Sequence, residues 1–201
     1  MPRATQLTPG ADELAEAVRL LMEATVRAQG GDLGRATALV REATAELTDL
    51  REGPWVVDGE HHSPYNAVVG IGNPVAPPVV LTRREASGVT AEVTFGTPYE
   101  GAPGLVHGGA LAMALDQVFG EAGLAARVAG MTVGLEVRYT APTPVLRPLT
   151  IEAHVVASGE RLVEMAGSVS VDGTVTVTAT ATFFRLTEEH AKRIFPRLAA
   201  G

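Results

Sequence analysis

Cysteine is absent from the 201-residue sequence. That excludes a disulfide framework, a cysteine nucleophile and a thiolate metal site. It also suits a reducing compartment, so a cytoplasmic protein is expected. Lysine is scarce: fifteen of the sixteen basic side chains are arginine. Arginine suits phosphate recognition, although codon bias in a GC-rich genome explains the excess more simply. No basic stripe of the kind that binds nucleic acid occurs, and no such partner is expected. No run of about twenty apolar residues occurs either, which predicts no membrane span. The first ten residues are polar and interrupted by proline, which predicts no signal peptide. Gly-x-Ser-x-Gly is missing, which disfavours a serine-elbow hydrolase. So are the phosphate loop, the Gly-x-Gly-x-x-Gly fingerprint and His-Glu-x-x-His.

What is present divides unevenly. The net charge is -7, and residues 1–60 hold eleven acidic and six basic side chains, against twelve and ten in the rest. We therefore expect an acidic N-terminal arm over 1–60 and a single domain over 61–201, long enough for a real core. The arm reads as two helices. Residues 11–29 carry Leu14, Val18, Leu21, Met22 and Val26 on one side. Gly30-Gly31 breaks the pattern, and Asp32 caps a second helix running to residue 50, with Leu39, Val40, Ala43 and Leu47 on its face. The arm offers no chemistry of its own. Five prolines make residues 51–78 irregular. Asp58, Glu60, His61 and His62 lie there, but their spacing fits no metal-ligand pattern. They read as a solvated loop, and neither metal nor cofactor is expected. Residues 65–71 read as a first strand.

Further strands follow. Residues 79–83 and 89–95 form a hairpin pair. Residues 132–140, with Gly134 as a candidate bulge, precede 149–157. Residues 162–171 end in Asp172-Gly173, a dipeptide favoured in tight hairpins. The last strand alternates Thr174, Thr176, Thr178, Thr180 and Thr182 with Val175, Val177, Ala179, Ala181 and Phe183, a period of two. Alanines on its apolar side leave room for a helix to approach. Residues 187–199 read as a short C-terminal helix or tail. The order is α+β: an antiparallel sheet curled round one long helix.

That helix is expected over 110–128, after the loop Val106-His107-Gly108-Gly109. It is apolar almost all round, so other elements must wrap it. Gln117, Glu121 and Arg127 interrupt the apolar surface. Asp116 shares a face with Ala112, Leu115 and Phe119, and a buried aspartate needs a reason. At the helix mouth the first N–H groups lack intrahelical partners, and glycine lets a ligand come close to them. Such groups can hold an oxygen that gains charge in a tetrahedral intermediate. A carboxylate can serve as general base toward water, or as nucleophile. Together they point to attack on an acyl group. Yet Gly108 and Asp116 are eight residues apart, about 12 Å along a helix, and reacting atoms must meet at about 3–3.5 Å. Either the two do not cooperate, or the glycine end of one chain meets the aspartate of another, which requires a dimer. The alternative is a purely structural capped helix, with His107 holding the loop, Gly108-Gly109 permitting tight packing and Asp116 accepting internal hydrogen bonds.

Glu100-Gly101-Ala102-Pro103-Gly104, His107-Gly108-Gly109 with Asp116 after six variable residues, and the strand ending Tyr139-Thr140-Ala141-Pro142 resemble the hotdog-fold acyl-CoA thioesterases of the PaaI-like branch. The resemblance covers about residues 65–186, one domain in size. It implies that Asp116 is the catalytic carboxylate and that Gly108 N–H polarises the thioester carbonyl. It further implies that His107 organises the loop and that Thr132 positions water or the carboxylate. Gly109, Thr140, Arg138 and Arg161 become candidate substrate contacts, the arginines for the anionic coenzyme A. Either arginine alternatively reads as a solvated surface side chain. Some relatives carry Asn or Gln six residues before the histidine; here Gly101 stands there. The implied activity is hydrolysis of an acyl-CoA by a homodimer or a dimer of dimers. The competing expectation is an acyl-CoA-binding hotdog protein without turnover. A dehydratase of the same fold is disfavoured, because those enzymes use a different histidine–carboxylate arrangement.

Overall fold

The structure, a computed structural model, describes residues 7–48, 50, 64–128 and 130–187. Asp58, Glu60, His61, His62 and nearly all of the expected C-terminal helix lie outside the described residues.

The arm forms helix α1, Ala11–Arg27, and helix α2, Leu33–Ala45. Asp32 caps α2 by accepting from Arg35 N at 2.9 Å. Helix α2 stops five residues short of expectation. It buries no residue, so no packing supports a longer helix. Helix α1 buries only Ala15.

Six antiparallel strands follow: β1 Val80–Glu85, β2 Gly88–Thr94, β3 Gly130–Tyr139, β4 Pro148–Ser158, β5 Leu162–Val171 and β6 Thr174–Arg185. They form one sheet in the order β1-β2-β4-β5-β6-β3. Helix α3, Gly108–Ala125, lies across it and contributes Leu111, Leu115, Val118 and Phe119 to the core. Ile151, Met165, Val169 and Phe183 meet it from the strands. Each such side chain contributes about 1.5–3 kcal/mol by burial. Gly167 lets the helix approach: a Cβ there would lie 3.0 Å from the Phe119 ring. The hairpin between β5 and β6 turns through Asp172 at φ 49° and Gly173 at φ 79°, the left-handed pair that the tight turn requires. The α+β arrangement is as expected.

Two readings need correction. Residues 65–71 are a run of turns, not a strand. Asn66 Oδ1 accepts from Val68 N at 2.7 Å and Val69 N at 3.0 Å, a local alternative to strand pairing. The alternation of β6 also breaks at its start. Val175 is exposed and Thr176 buried, where the register with β5 shifts between Val169 and Ser170. The inward Thr176 hydroxyl accepts from Thr143 Oγ1 at 2.8 Å, so the buried polar group is satisfied.

Strand β3 is an edge. Its register with β6 shifts between Thr132 and Gly134, at the expected bulge. The shift lets Thr132 face α3 while Leu135 and Val137 pack on the core.

Candidate functional site

The Gly108 turn is built from the loop before α3. A single 3-10 turn, Thr97–Tyr99, leads to Glu100, which pairs with Val106 as an isolated bridge. His107 N donates to Tyr99 O at 2.8 Å. Tyr99 in turn packs edge-on against Phe95 at 5.3 Å and donates its hydroxyl to Val75 O. Burial raises the Tyr99 pKa above its ordinary value. His107 caps α3, its Nδ1 accepting from Gly109 N at 3.0 Å. Its carbonyl accepts from Ala110 N and Leu111 N. Of the first N–H groups of the helix, Gly108 N–H alone has no acceptor among the described residues. It sits at the positive end of the helix dipole, where negative charge is stabilised.

This turn borders a cavity of about 810 Å³, lined among others by Leu105, His107, Gly108, Leu111, Tyr139 and Thr140. Tyr139 OH donates to Gly108 O at 2.7 Å. A side chain at Gly108 would meet that hydroxyl at 2.9 Å. Thr140 is present in the wall, but its hydroxyl donates to Thr176 O at 3.0 Å. Gly101 lies against the capping residue: a Cβ there would be 2.9 Å from His107 Cα. An Asn or Gln at this position would therefore collide with the turn it is supposed to assist.

Asp116 is elsewhere. It does not line the cavity; its Oδ1 accepts from Thr132 Oγ1 at 2.7 Å, on the flank of edge strand β3. The structure thus joins Asp116 to Thr132, and Gly108 to His107 and Tyr139, as two separate groups within one chain. The expectation that Asp116 is buried needs correction, because it is partly exposed here. The buried carboxylate of α3 is Glu121, 1% exposed. It turns toward β1, where Arg84 Nε lies at 3.2 Å, and it accepts from Gln117 Nε2, one turn earlier on α3, at 3.3 Å.

The remaining candidates are scattered. Gly109 borders the turn but not the cavity. Arg138 points to the outer face of the sheet and pairs with Glu136 at 2.6 Å. Arg161 lies beside the Phe184 ring, 5.8 Å from its centroid. Phe184 pairs with Met131, next to Thr132, so Arg161 belongs to the Asp116 end.

Sequence reasoning missed Tyr139 as a brace of Gly108, the Thr143–Thr176 pair and Glu23. Tyr139 carried a signal, since it closes an edge strand as part of a quoted motif. Glu23 carried none. It is an ordinary acidic residue of an acidic helix, yet it accepts from Thr97 N at 2.8 Å and Thr97 Oγ1 at 2.6 Å.

Comparison with protein families matches residues 103–178 to the thioesterase superfamily. Among solved structures, the chain is similar to a thioesterase superfamily protein at 31% identity and a TM-score of 0.77, with 90% of this chain and 97% of that chain covered. A hypothetical thioesterase from Streptococcus pneumoniae TIGR4, crystallised with coenzyme A, matches at 21% identity and a TM-score of 0.51, over 53% of this chain and 87% of that one. A Streptococcus mutans UA159 protein bound to acetyl CoA matches at 18% identity and a TM-score of 0.52, over 54% and 88%. The two streptococcal likenesses are of fold. No curated protein matches.

Proposed function

Since this chain belongs to the thioesterase superfamily, we propose that it is an acyl-CoA thioesterase, hydrolysing an acyl-CoA to a free carboxylic acid and CoA. The observation that carries the reading is the open Gly108 N–H at the mouth of α3, facing a cavity walled by both apolar and polar groups. The carbonyl oxygen of the thioester accepts from Gly108 N–H, which stabilises the oxyanion of the tetrahedral intermediate. Asp116, oriented by Thr132, either takes a proton from the attacking water or attacks the carbonyl carbon itself. On the first route the carbon–sulfur bond breaks as the proton held by Asp116 passes to the sulfur, giving the acid and the thiol of CoA. On the second the thiolate of CoA leaves and takes a proton from solvent, and water hydrolyses the Asp116 anhydride to the acid and the free carboxylate. His107 acts by holding the turn through Gly109. The coenzyme A and acetyl CoA carried by two structures of like fold support the substrate class. No cofactor is needed beyond the CoA moiety of the substrate.

The active unit is a homodimer or a dimer of dimers. Gly108 and Asp116, eight residues apart on one helix, are separated by about 12 Å, so each site takes Gly108 from one subunit and Asp116 from the other. Strand β3 supports this arrangement: among the described residues its outer edge is unpaired, and Met131, Val133 and Tyr139 are exposed along it. Exposed strand edges invite pairing with another chain. For the phosphates of CoA, Arg161 is the stronger candidate, because it lies at the Asp116 end; Arg138 is engaged by Glu136. No described helix is long and apolar enough to cross a membrane, and we place the reaction in the cytoplasm.

Thiol release from a panel of acyl-CoAs tests the reading. Asp116→Ala should lose about 10²–10⁴-fold in kcat while staying folded and dimeric. Full activity in that variant would falsify the mechanism. Acyl-CoA binding without thiol release in the unaltered protein would replace the enzyme with a non-catalytic acyl-CoA-binding protein.

A further inference from the structure

We propose that Glu23, on the helical arm, is a positioning residue for the Gly108 turn, so that the arm sets the geometry of the oxyanion site. The inference rests on the thioesterase reading of that turn.

The arm docks through a narrow apolar strip: Ala15 is buried and Val18 and Met22 are half-buried, while Leu14, Leu20, Leu21 and Val26 stay exposed. Polar contacts add direction to it. Arg19 donates to Asn73 O at 3.1 Å. Glu23 grips Thr97 with both oxygens: Oε2 accepts the backbone N–H at 2.8 Å and Oε1 the hydroxyl at 2.6 Å. A two-point, charge-assisted contact fixes direction as well as distance. Gly96 makes room for it, since a Cβ there would lie 2.8 Å from Glu23 Oε2.

Thr97 is where the loop begins. Its carbonyl accepts from Glu100 N at 3.0 Å, and Tyr99 O accepts from His107 N at 2.8 Å. His107 then caps α3 beside Gly108. A short chain of hydrogen bonds therefore runs from Glu23 through the 3-10 turn to the residue before the open N–H. A shift of Thr97 is passed to His107, because the bridge between Glu100 and Val106 closes the loop on itself. Small displacements of a carbonyl-binding group reduce rate more than ground-state affinity.

Acyl-CoA hydrolysis by full-length Glu23→Ala, Glu23→Gln and Arg19→Ala tests this, with thermal melts and hydrogen exchange at the His107 amide. Glu23→Ala should lower kcat about tenfold, change KM less than about threefold and speed His107 exchange about tenfold. Glu23→Gln, which keeps one acceptor oxygen, should fall between. Arg19→Ala removes the arm's bond to Asn73 O and leaves the Glu23–Thr97 contact in place, so it should keep kcat. An unchanged kcat and His107 exchange rate in a folded Glu23→Ala overturn the proposal. So does an equal loss in Arg19→Ala, which would make Glu23 a mere tether. If the unaltered protein releases thiol from no acyl-CoA, the thioesterase reading falls, and exchange alone decides: faster exchange in Glu23→Ala supports the contact's role, an unchanged rate overturns it.

Discussion

Thr132 and Gly101 are the residues where small changes separate chemistry from folding. The Thr132 hydroxyl donates to Asp116 at 2.7 Å on an exposed edge strand, so removing it takes away orientation and little packing. Thr132→Val should lower kcat about tenfold, the worth of one hydrogen bond to a charged group, with the melting temperature nearly unchanged. Thr132→Ser, which keeps the hydroxyl, should stay close to the unaltered enzyme. Steady-state kinetics on both variants checks this, and equal loss in the serine variant would contradict it. Gly101 makes the opposite point. Asn is the residue that some related enzymes carry at this place, yet a Cβ here would lie 2.9 Å from His107 Cα. Gly101→Asn should therefore lower kcat/KM about tenfold or more by displacing the turn. A gain in activity would mean that the loop yields and that the side chain assists at the carbonyl.

Among the elements, α3 and the antiparallel strands that wrap it were legible because their periodicities are long. The apolar helix, the threonine alternation of β6, the Asp172-Gly173 turn and the bulge before Gly134 are all local signals. Most failures come from contacts between parts distant in sequence, and one, at Asn66, from a local bond. Nothing local distinguishes Asp116 from Glu121, yet the first faces an open edge and the second faces Arg84, thirty-seven residues away. Asn66 turned an apolar stretch into turns by bonding its own backbone. Glu23 reaches across seventy-four residues to Thr97. Of the candidate site, the motif residues Gly108, His107, Asp116 and Tyr139 stand out in the sequence; the bracing of Gly108 by Tyr139 and the Thr143–Thr176 pair do not. Stability follows from the distant contacts. Arg84→Met removes the guanidinium from Glu121 and should cost roughly 1–3 kcal/mol in urea denaturation. Adding Glu121→Leu should recover much of it, because an apolar pair often matches a buried ionic one. Glu23 adds a dependence on pH. Its pKa is held below the ordinary 4.5, first by the Thr97 hydroxyl and less by Arg27, with burial acting in the opposite direction. Arg19 and Glu16 line the same cleft. A carboxylate with a depressed folded pKa contributes stability that is present above its unfolded value and is lost as pH falls through the folded one. The difference in melting temperature between the unaltered protein and Glu23→Gln should thus be full at neutral pH and shrink below about pH 4.5. A difference constant across that range would show that the charge of Glu23 is not used.

For the whole molecule, the proposed cooperation of Gly108 with Asp116 requires a site shared between two chains. If each site takes its N–H from one subunit and its carboxylate from the other, the two groups are complementary between chains. Asp116→Ala alone damages both sites of a dimer. So does Gly108→Val, whose side chain would run into Tyr139, already 2.9 Å from a bare Cβ. A mixed dimer is different. One of its sites collects both defects, and the other collects the intact Gly108 of the first subunit and the intact Asp116 of the second. Unfolding and refolding the two inactive proteins together at equal concentration should therefore restore activity. Random reassortment makes half of the dimers mixed, each with one working site, so about one quarter of the unaltered activity should return. If both groups acted within one chain, each mixed dimer would contain only damaged sites and no activity would appear at any ratio. The same experiment addresses the edge strand. Replacing Val133, 61% exposed on β3, with lysine should lower activity in proportion to dimer lost, because charged edge residues oppose strand pairing. Sedimentation across a concentration series, run beside the activity assay, decides whether the two losses share one midpoint.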